Sequence, residues 1–546
     1  MERRVLVIGL DGVGFQLIEP WIEGGKLPYL AHFLNEGIHG NLTSTIPPIT
    51  GPAWSSFQTG VNPGKHGVFG WTNRKPSEYG LSVINSHSLS YPTIWELASQ
   101  NDRRVVSIGV PVTYPPRPVN GVIIPGILTP RNAPSPTYPP QAYSELRRVA
   151  PGYCFSPDCA QHLTIKAKVR ALSSCAQGRA KVARHFMQKK DWDLFMLQFH
   201  STDVVQHDLW GIKKAGLDPL LVVFQEVDRL LGELVEIAEQ NGANVIILSD
   251  HGMGPLKYTF SVNTWLLARG YLQLKRGAAT RFKRLMFQLG FTQRRLYRLG
   301  RLLYPVAYRL GVANSFLDIT GDRGIAWLIS SLFLSSDDID WGRTRAYSRS
   351  DIGHVCLNLK GREPQGIVKN KEADSLVDEL IKGLTGVVNP YTGEPLLGDV
   401  FRKQEVYHGD KLAQAPDILF LPKGLRTVGS GASGFYSNRP FDRPFTRAHH
   451  RMEGIVTAVG PPFRSRHNLQ GAALIDLAPN ILYLLDCPIP RCMDGKLWEE
   501  AFVPGTLEEQ SPQWVDLSPG QFPEEPLTAA DEEEIKQRLR NLGYLS

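Results

Sequence analysis

The apolar positions of this chain fall into short strand-like runs that alternate with longer segments of helical spacing. The runs lie at Val5 to Leu10, Val105 to Val110, Leu194 to Phe199 and Val245 to Leu248, and a segment such as Val222 to Glu239 carries the three- and four-residue apolar spacing of a helix. That alternation predicts an α/β fold, a mostly parallel sheet with helices on both faces. Further strand candidates at His354 to Leu359, Asp417 to Leu421 and Gly454 to Val459 imply that the sheet resumes late in the chain. The intervening stretch from Trp265 to Gly342 then reads as an insertion or cap. We accordingly expect a first part of the catalytic core at 1–264, a basic helical insertion at 265–342, a second part of the core at 343–510 and a C-terminal tail at 511–546. The Pro-rich stretch from Pro111 to Pro140 has little regular periodicity and is expected to form a second lid. The tail, DEEEIKQRLRNLGYLS, reads as a short closing helix whose acidic start and basic later turns suit the helix dipole.

Metal-binding residue types stand where apolar runs stop. Asp11 ends VLVIGLDG, Asp203 and His207 follow LFMLQFHSTDVVQH, Asp250 and His251 end NVIILSDHG, and His450 precedes GIVTAVGP. Ligands of open parallel sheets gather at the carboxyl ends of the strands, so these endings are expected to converge on one crevice. Three Asp and three His divide into two sets of three, a donor set suited to two divalent ions, with zinc expected and manganese the alternative. Two ions roughly 3.5–4 Å apart can clamp the attacking and leaving oxygens of an in-line displacement at phosphorus. Thr50, in PPITGPAWSSFQTG, is the candidate nucleophile. Pro52 fits the first turn of a helix, and a hydroxyl at a helix N-terminus favours a phosphate beside it.

Taken singly, each signal has an ordinary structural reading. Asp-His after an apolar run is usually a capped loop, D-x-x-x-H a solvated helix pair, and Thr before Gly-Pro a turn. Their co-occurrence at successive strand ends outweighs those readings. The whole set resembles the alkaline phosphatase superfamily, and within it the type I phosphodiesterase and nucleotide pyrophosphatase family. The likeness runs through LVIGLDG, PPITGPAWSSFQTGVNPGKHGVFGW, GVPVTYPP, Asp203-x-x-x-His207, SDHGM, FSVNTWLLARGYL, NLKGREPQGIV, HHRMEGIVTAVGP and PIPRCMDGKLW. It implies an alkaline phosphatase-like three-layer sandwich with an inserted cap. It also implies that Asp11, Asp250 and His251 hold one metal, that Asp203, His207 and His450 hold the other, and that Thr50 bridges toward the first ion and takes the phosphoryl group covalently. His449 and His450 are adjacent; His450 is preferred because His450, Arg451, Glu453 and Gly454 match the H-R-x-E-G pattern. The Asn that contacts a phosphate oxygen in nucleotide pyrophosphatases has no clear counterpart after His66, Gly67, Val68, Phe69, Gly70 and Trp71, and Asn73 is the nearest candidate. Among the other histidines, His66 and His200 lie near the nucleophile and Asp203 and are candidates to act behind the ligands. His32, His39, His87, His162, His354 and His408 read as solvated or structurally satisfied.

The reaction implied is a double displacement on a small phosphate ester, through a phosphothreonine. Trp54, Phe57, Phe69 and Trp71, close to Thr50 in sequence, suggest an apolar wall for the second ester group of a diester, although Phe57 is expected in the core. A sulfatase is disfavoured because Thr50-Gly51-Pro52 lacks the C/S-x-P-x-R setting. A cofactor-independent phosphomutase or a phosphomonoesterase shares the metal scheme and stays open. A non-catalytic anion-binding protein at a membrane surface is the alternative from another class, but it would have little reason to retain the nucleophile and all six ligands.

The 546 residues suffice for a large core. Eleven Lys and Arg and no Asp or Glu lie between Arg269 and Arg309, so the net +7 of the chain belongs to that segment and the rest is acidic. Within it Arg294, Arg298 and Arg301 project to one side of a helix and Leu296, Leu299 and Leu303 to the other. Peripheral contact with an anionic membrane through 269–309 is one reading, a basic solvated face on a packed helix the other, and a cap that attracts anionic substrate a third. No binding to a nucleic-acid duplex is expected. The six cysteines are thinly spread; Cys154 with Cys159, or Cys487 with Cys492, could pair, but buried free thiols are expected. No export signal or spanning segment is visible, which makes a cytoplasmic protein the expectation, peripheral to the membrane if the basic segment binds there.

Overall fold

In the computed structural model, nine strands form the central sheet. It describes the chain except residues 1–2, 76–77, 158–163, 190, 214–215, 293, 296–331, 350–352, 391, 423–426, 431–434, 436, 445, 518–526 and 546. The principal strands are β1 (Val5–Leu10), β2 (Ile38–Thr43), β3 (Val105–Ile108), β4 (Gly121–Ile124), β5 (Leu194–Phe199) and β6 (Asn244–Leu248). A short ribbon pairs β7 (Gly252–Pro255) with β8 (Ala448–Arg451), and β9 (Glu453–Val459) returns to the sheet. The order is 467–468, β2, β9, β6, β1, β5, β3, β4, with 472–473 also on β2. All neighbours are parallel except β9, which runs against both β6 and β2.

The apolar runs are unbroken because both faces of the sheet are covered. Val5 and Val7 enter one core, while Leu6, Ile8 and Leu10 enter the other. Helices α1 (Thr50–Thr59), α2 (Ile165–Lys189), α3 (Ser201–Leu209) and α4 (Pro219–Gln240) belong to these layers, α1 on one face and α2 with α4 on the other. Register positions the chemistry. Leu10 lies beside Phe199 and Gly9 beside Leu248, so three adjacent parallel strands end together, releasing Asp11, Asp203 and Asp250 at one edge. Because β9 is antiparallel, its beginning lies at that same edge and carries in the preceding strand, which holds His450.

Several expectations are corrected. Of the late strand candidates, only Gly454 to Val459 joins the central sheet. His354–Leu357 and Ile418–Pro422 pair antiparallel with one another in a separate four-stranded sheet with 346–347 and 397–402. The central sheet has no place for them, since β9 already fills the position beside β6 and their apolar faces build a core of their own around Trp265, Leu380 and Phe420. The Pro-rich stretch is not merely a lid, because its middle supplies β4, whose Val122, Ile123 and Ile124 are buried. In the basic segment, helix α5 (Ala278–Gln288) buries Thr280 and Phe287. Arg294, expected on a solvated face, is buried with its guanidinium 2.9 Å from Asp442. Arg298, Arg301, Leu296, Leu299 and Leu303 lie outside the described residues. Cys154 is bonded to Cys175, not to Cys159, and Cys487 and Cys492 are free. The expected closing helix is present as α6 (Ala529–Asn541), acidic at its start and basic at its end; Ile535 and Leu539 enter the main core, and buried Arg538 donates to the carbonyls of Ile127 and Thr129. Among the described residues no helix is long and apolar enough to cross a membrane.

Candidate metal centre

All seven predicted side chains meet in one buried site. Asp11 leaves β1 through Gly12, whose φ of +73° and approach to Asp203 both favour glycine: a Cβ there would stand 2.9 Å from Asp203 Oδ1. Asp203 and His207 are one turn apart on α3, and Asp250 and His251 follow β6 directly. Thr50 opens α1, ahead of the first intrahelical bond from the Ala53 N–H to the Ile49 carbonyl. On β8 the two-residue alternation of a strand buries His450 and leaves His449 half-buried. His450, rather than His449, therefore reaches Asp203 and His207.

Two clusters are close enough to hold an ion. Asp203, His207 and His450 form one. His207 Nε2 lies 3.0 Å from His450 Nε2 and 3.5 Å from Asp203 Oδ2, and His450 Nε2 lies 3.4 Å from Asp203 Oδ1. The other contains Asp11, Asp203 and His251, so Asp203 stands between the two. Asp250 belongs to the same neighbourhood: its Oδ2 is 3.3 Å from His251 Nε2, which is 3.6 Å from Asp11 Oδ1 and 3.3 Å from the Thr50 hydroxyl.

The hydrogen bonds around the imidazoles fix what they offer. His207, His251 and His450 each turn Nδ1 to a backbone carbonyl, of Ala448, Gly252 and Pro48 respectively, at 3.2, 3.1 and 2.8 Å. Those carbonyls accept, so each Nδ1 carries the proton and each Nε2 presents a bare lone pair to the site. Asp11 Oδ1, Asp203 Oδ1 and Asp250 Oδ2 are buried without a hydrogen-bond partner. Six electron-pair donors thus converge, a costly arrangement unless cations or protons relieve it.

Ionisation follows the same logic. Burial raises the carboxyl of Asp250 well above the carboxylate range, and Asp11 and Asp203 push it further. Desolvation lowers His207 and His251, keeping them neutral, the form that binds metal.

Other residues enter that the sequence reading did not place. Asp11 Oδ2 accepts from Gln198 Nε2 at 2.5 Å and Trp54 Nε1 at 3.3 Å, and faces His200 Nδ1 at 3.1 Å. Buried Arg179 in turn holds Gln198 Oε1 at 2.7 Å. A glutamine inside LFMLQF was the visible signal for this support. His200 thus acts behind the ligands, whereas His66 bonds Ser56 and the Val68 N–H and is structural. Tyr544 also reaches Asp203, with no signal beyond a tyrosine after a glycine in the tail. Asn73 turns its amide to the Gly67 carbonyl, 2.9 Å away. Of the four aromatics near Thr50, Trp54 and Phe57 are core, and Phe69 and Trp71 line a small cavity with Arg349, His354 and Tyr544.

This donor set on an α/β scaffold can be compared with known proteins. The description of type I phosphodiesterases and nucleotide pyrophosphatases matches residues 5–431. The chain belongs to this family. It is therefore a phosphoric ester hydrolase of the phosphodiesterase and pyrophosphatase kind, which sets aside the non-catalytic alternative. No curated protein matches the chain. Among solved structures, phosphonoacetate hydrolase from Sinorhizobium meliloti 1021, in complex with phosphonoacetate, is similar at a TM-score of 0.50 and 14% identity, over 89% of this chain and 95% of that one. Murine ectonucleotide pyrophosphatase/phosphodiesterase 5 is similar at a TM-score of 0.49 and 15% identity, over 92% of this chain and 100% of that one. The fold of this member of the family is the α/β sandwich of the alkaline phosphatase superfamily, with its large, mostly parallel central sheet.

Proposed function

We propose that this family member hydrolyses small phosphate diesters or pyrophosphates in a divalent-metal-dependent reaction that passes through a phosphothreonine at Thr50. The observation that carries the reading is the convergence of three imidazole Nε2 atoms and three unpartnered carboxylate oxygens in one buried site, with the Thr50 hydroxyl 3.3 Å from one of them, His251 Nε2. Asp203, His207 and His450 would hold one ion and Asp11, Asp250 and His251 the other; zinc suits this nitrogen and oxygen set, and manganese is the alternative. Bound there, such ions supply Lewis-acid stabilisation of oxygens on phosphorus and ease ionisation of a hydroxyl.

The chain's own residues orient the chemistry. Thr50 Oγ1 forms a bond to phosphorus as the bond to the ester oxygen breaks, and the leaving oxygen departs with a proton as an alcohol or phosphate. The second substituent stays on the threonine-bound phosphorus, and water then cleaves the bond from phosphorus to Thr50 Oγ1, releasing a monoester and restoring the hydroxyl. The amides of Thr50 and Gly51, at the positive end of α1, favour the phosphate oxygens. Trp54, Gln198 and His200 hold one oxygen of Asp11 so that the other faces the site. Diesters and pyrophosphates are preferred to monoesters as substrates on the strength of the family match alone. The test compares wild type and Thr50→Ala on bis(4-nitrophenyl) phosphate and 4-nitrophenyl phosphate, with acid-quenched protein searched by mass spectrometry for the adduct each would leave on Thr50, a 4-nitrophenylphospho group from the diester and a phospho group from the monoester. Full activity in the variant sinks the covalent route. Transfer of the phosphoryl group between positions of a substrate, without release, would favour a phosphomutase.

A separate observation favours a membrane contact. Phe282, Leu285, Leu289 and Phe291 are 53–61% exposed, the most exposed large apolar side chains among the described residues. Exposed Arg281 and Arg284 lie among them, with Lys275, Arg276 and Arg295 nearby. We infer that this face of α5 rests on an anionic lipid surface, where each basic residue contributes about 1 kcal/mol. Sedimentation with phosphatidylserine-containing vesicles, lost on phosphatidylcholine alone and in Phe282→Ser/Leu285→Ser, is the expected result. No sedimentation with either lipid contradicts it.

A further inference from the structure

The C-terminal tail supplies a residue to the hydrolytic site that none of the ligand motifs contains. Helix α6 is anchored by Ile535, Leu539 and Arg538, as described above, and Lys536 Nζ adds a bond to the Leu81 carbonyl at 3.1 Å. Gly543, with φ of +84°, then turns the chain back, and the Tyr544 N–H bonds the Leu539 carbonyl at 2.9 Å. The turn drives Tyr544 inward until it is 5% exposed. Its ring stacks on Trp71 with centroids 5.3 Å apart, and its edge meets His200 and His207 at 5.9 and 5.4 Å.

The hydroxyl is the informative atom. It donates to Asp203 Oδ2 and lies 2.9 Å from His200 Nε2. His200 Nδ1 in turn lies 3.1 Å from Asp11 Oδ2. A line of polar contacts thus runs from Asp203 through Tyr544 and His200 to Asp11, joining the carboxylates of both ligand sets. With Oδ2 taken by the tyrosine, Asp203 Oδ1 is left bare, beside His450.

We infer that Tyr544 is a positioning residue of the hydrolytic site, whose hydroxyl orients Asp203 so that its free oxygen completes the set with His207 and His450. This rests on the metal reading proposed above. Groups that hydrogen-bond a metal ligand fix its orientation, and their loss typically lowers metal affinity by about 10–100-fold. A tyrosine serving only to fill space would be replaced by phenylalanine without consequence for the ions, because the stack on Trp71 would persist.

The test uses the full chain and Tyr544→Phe, each stripped of metal and titrated with Co²⁺ and Zn²⁺ against a competing chelator. Visible absorption of the Co²⁺ form and steady-state kinetics are read in parallel. The expected result is two ions in wild type and a 10–100-fold weaker hold on one of them in Y544F, with the other changed less than about threefold. The cobalt spectrum should change, and activity lost at limiting metal should return with excess metal, the deficit lying in kcat rather than KM. If wild type binds two ions and Y544F binds both equally well with an unchanged spectrum, the role assigned to Tyr544 is overturned while the metal reading stands. If wild type itself binds fewer than two, the metal reading fails and takes this inference with it.

Discussion

His207 and His450, 243 residues apart in the chain, face each other with their Nε2 atoms 3.0 Å apart. Neither nitrogen can donate to the other while both Nδ1 atoms donate to carbonyls, so the two lone pairs repel until a cation comes between them. Metal should accordingly stabilise the fold. At free Zn²⁺ near 1,000 times the dissociation constant, stability should rise by about 4 kcal/mol. Thermal unfolding with and without a chelator checks this, and coincident curves would contradict it.

Asp250 offers a sharper separation of stability from function. Its carboxyl is raised by burial and by the neighbouring Asp11 and Asp203, so in metal-free protein the charge is unfavourable. Asp250→Asn should raise the unfolding temperature of the metal-free protein by a few degrees and lower turnover by about 10²-fold or more. A variant that is both less stable without metal and fully active would refute the reading.

Acid should act on the second sheet through Asp417. Burial works against its ionisation, but Arg362, Lys403 and the Leu357 N–H pull its pKa from 3.8 down to about 2. Arg362 makes paired bonds to it at 2.8 and 2.7 Å. Because the folded value lies below the unfolded one, this stabilisation is present in full above pH 4 and disappears as pH falls toward 2. Asp417→Ala should cost about 1.5–3 kcal/mol at pH 7, since Arg362 loses its paired bonds and keeps only Glu363 and the Leu357 carbonyl, and should flatten the stability profile between pH 4 and 2. Denaturant unfolding over that range gives the answer; parallel profiles for the two proteins would count against it.

The Cys154–Cys175 bond should appear as a linked peptide pair when unreduced protein is digested and mapped by mass spectrometry. Recovery of both peptides as free thiols would contradict the pairing.

The parts of this molecule that the sequence disclosed are those where one residue type in one place has few other uses. Apolar runs such as Val245 to Leu248 gave strands, and the polar residues at their ends gave the site, because parallel strands in register deliver their ends together. His450 was separable from His449 by motif, and the strand alternation explains why. What stayed hidden depends on distant packing. His354 to Leu359 has the same apolar character as a central strand, yet its first four residues pair in the separate four-stranded sheet, and nothing within the run records that choice. Cys175 sits on a helix with nothing local to mark it as the partner of Cys154. Tyr544 reaches Asp203 across 341 positions, and no periodicity records that approach.

Anomalous diffraction from crystals of the zinc-loaded protein tests the central claim most directly. The account predicts two peaks roughly 3.5–4 Å apart beside Thr50 Oγ1, one bounded by Asp203, His207 and His450 and the other by Asp11, Asp250 and His251. A single peak, or peaks away from these side chains, would contradict it.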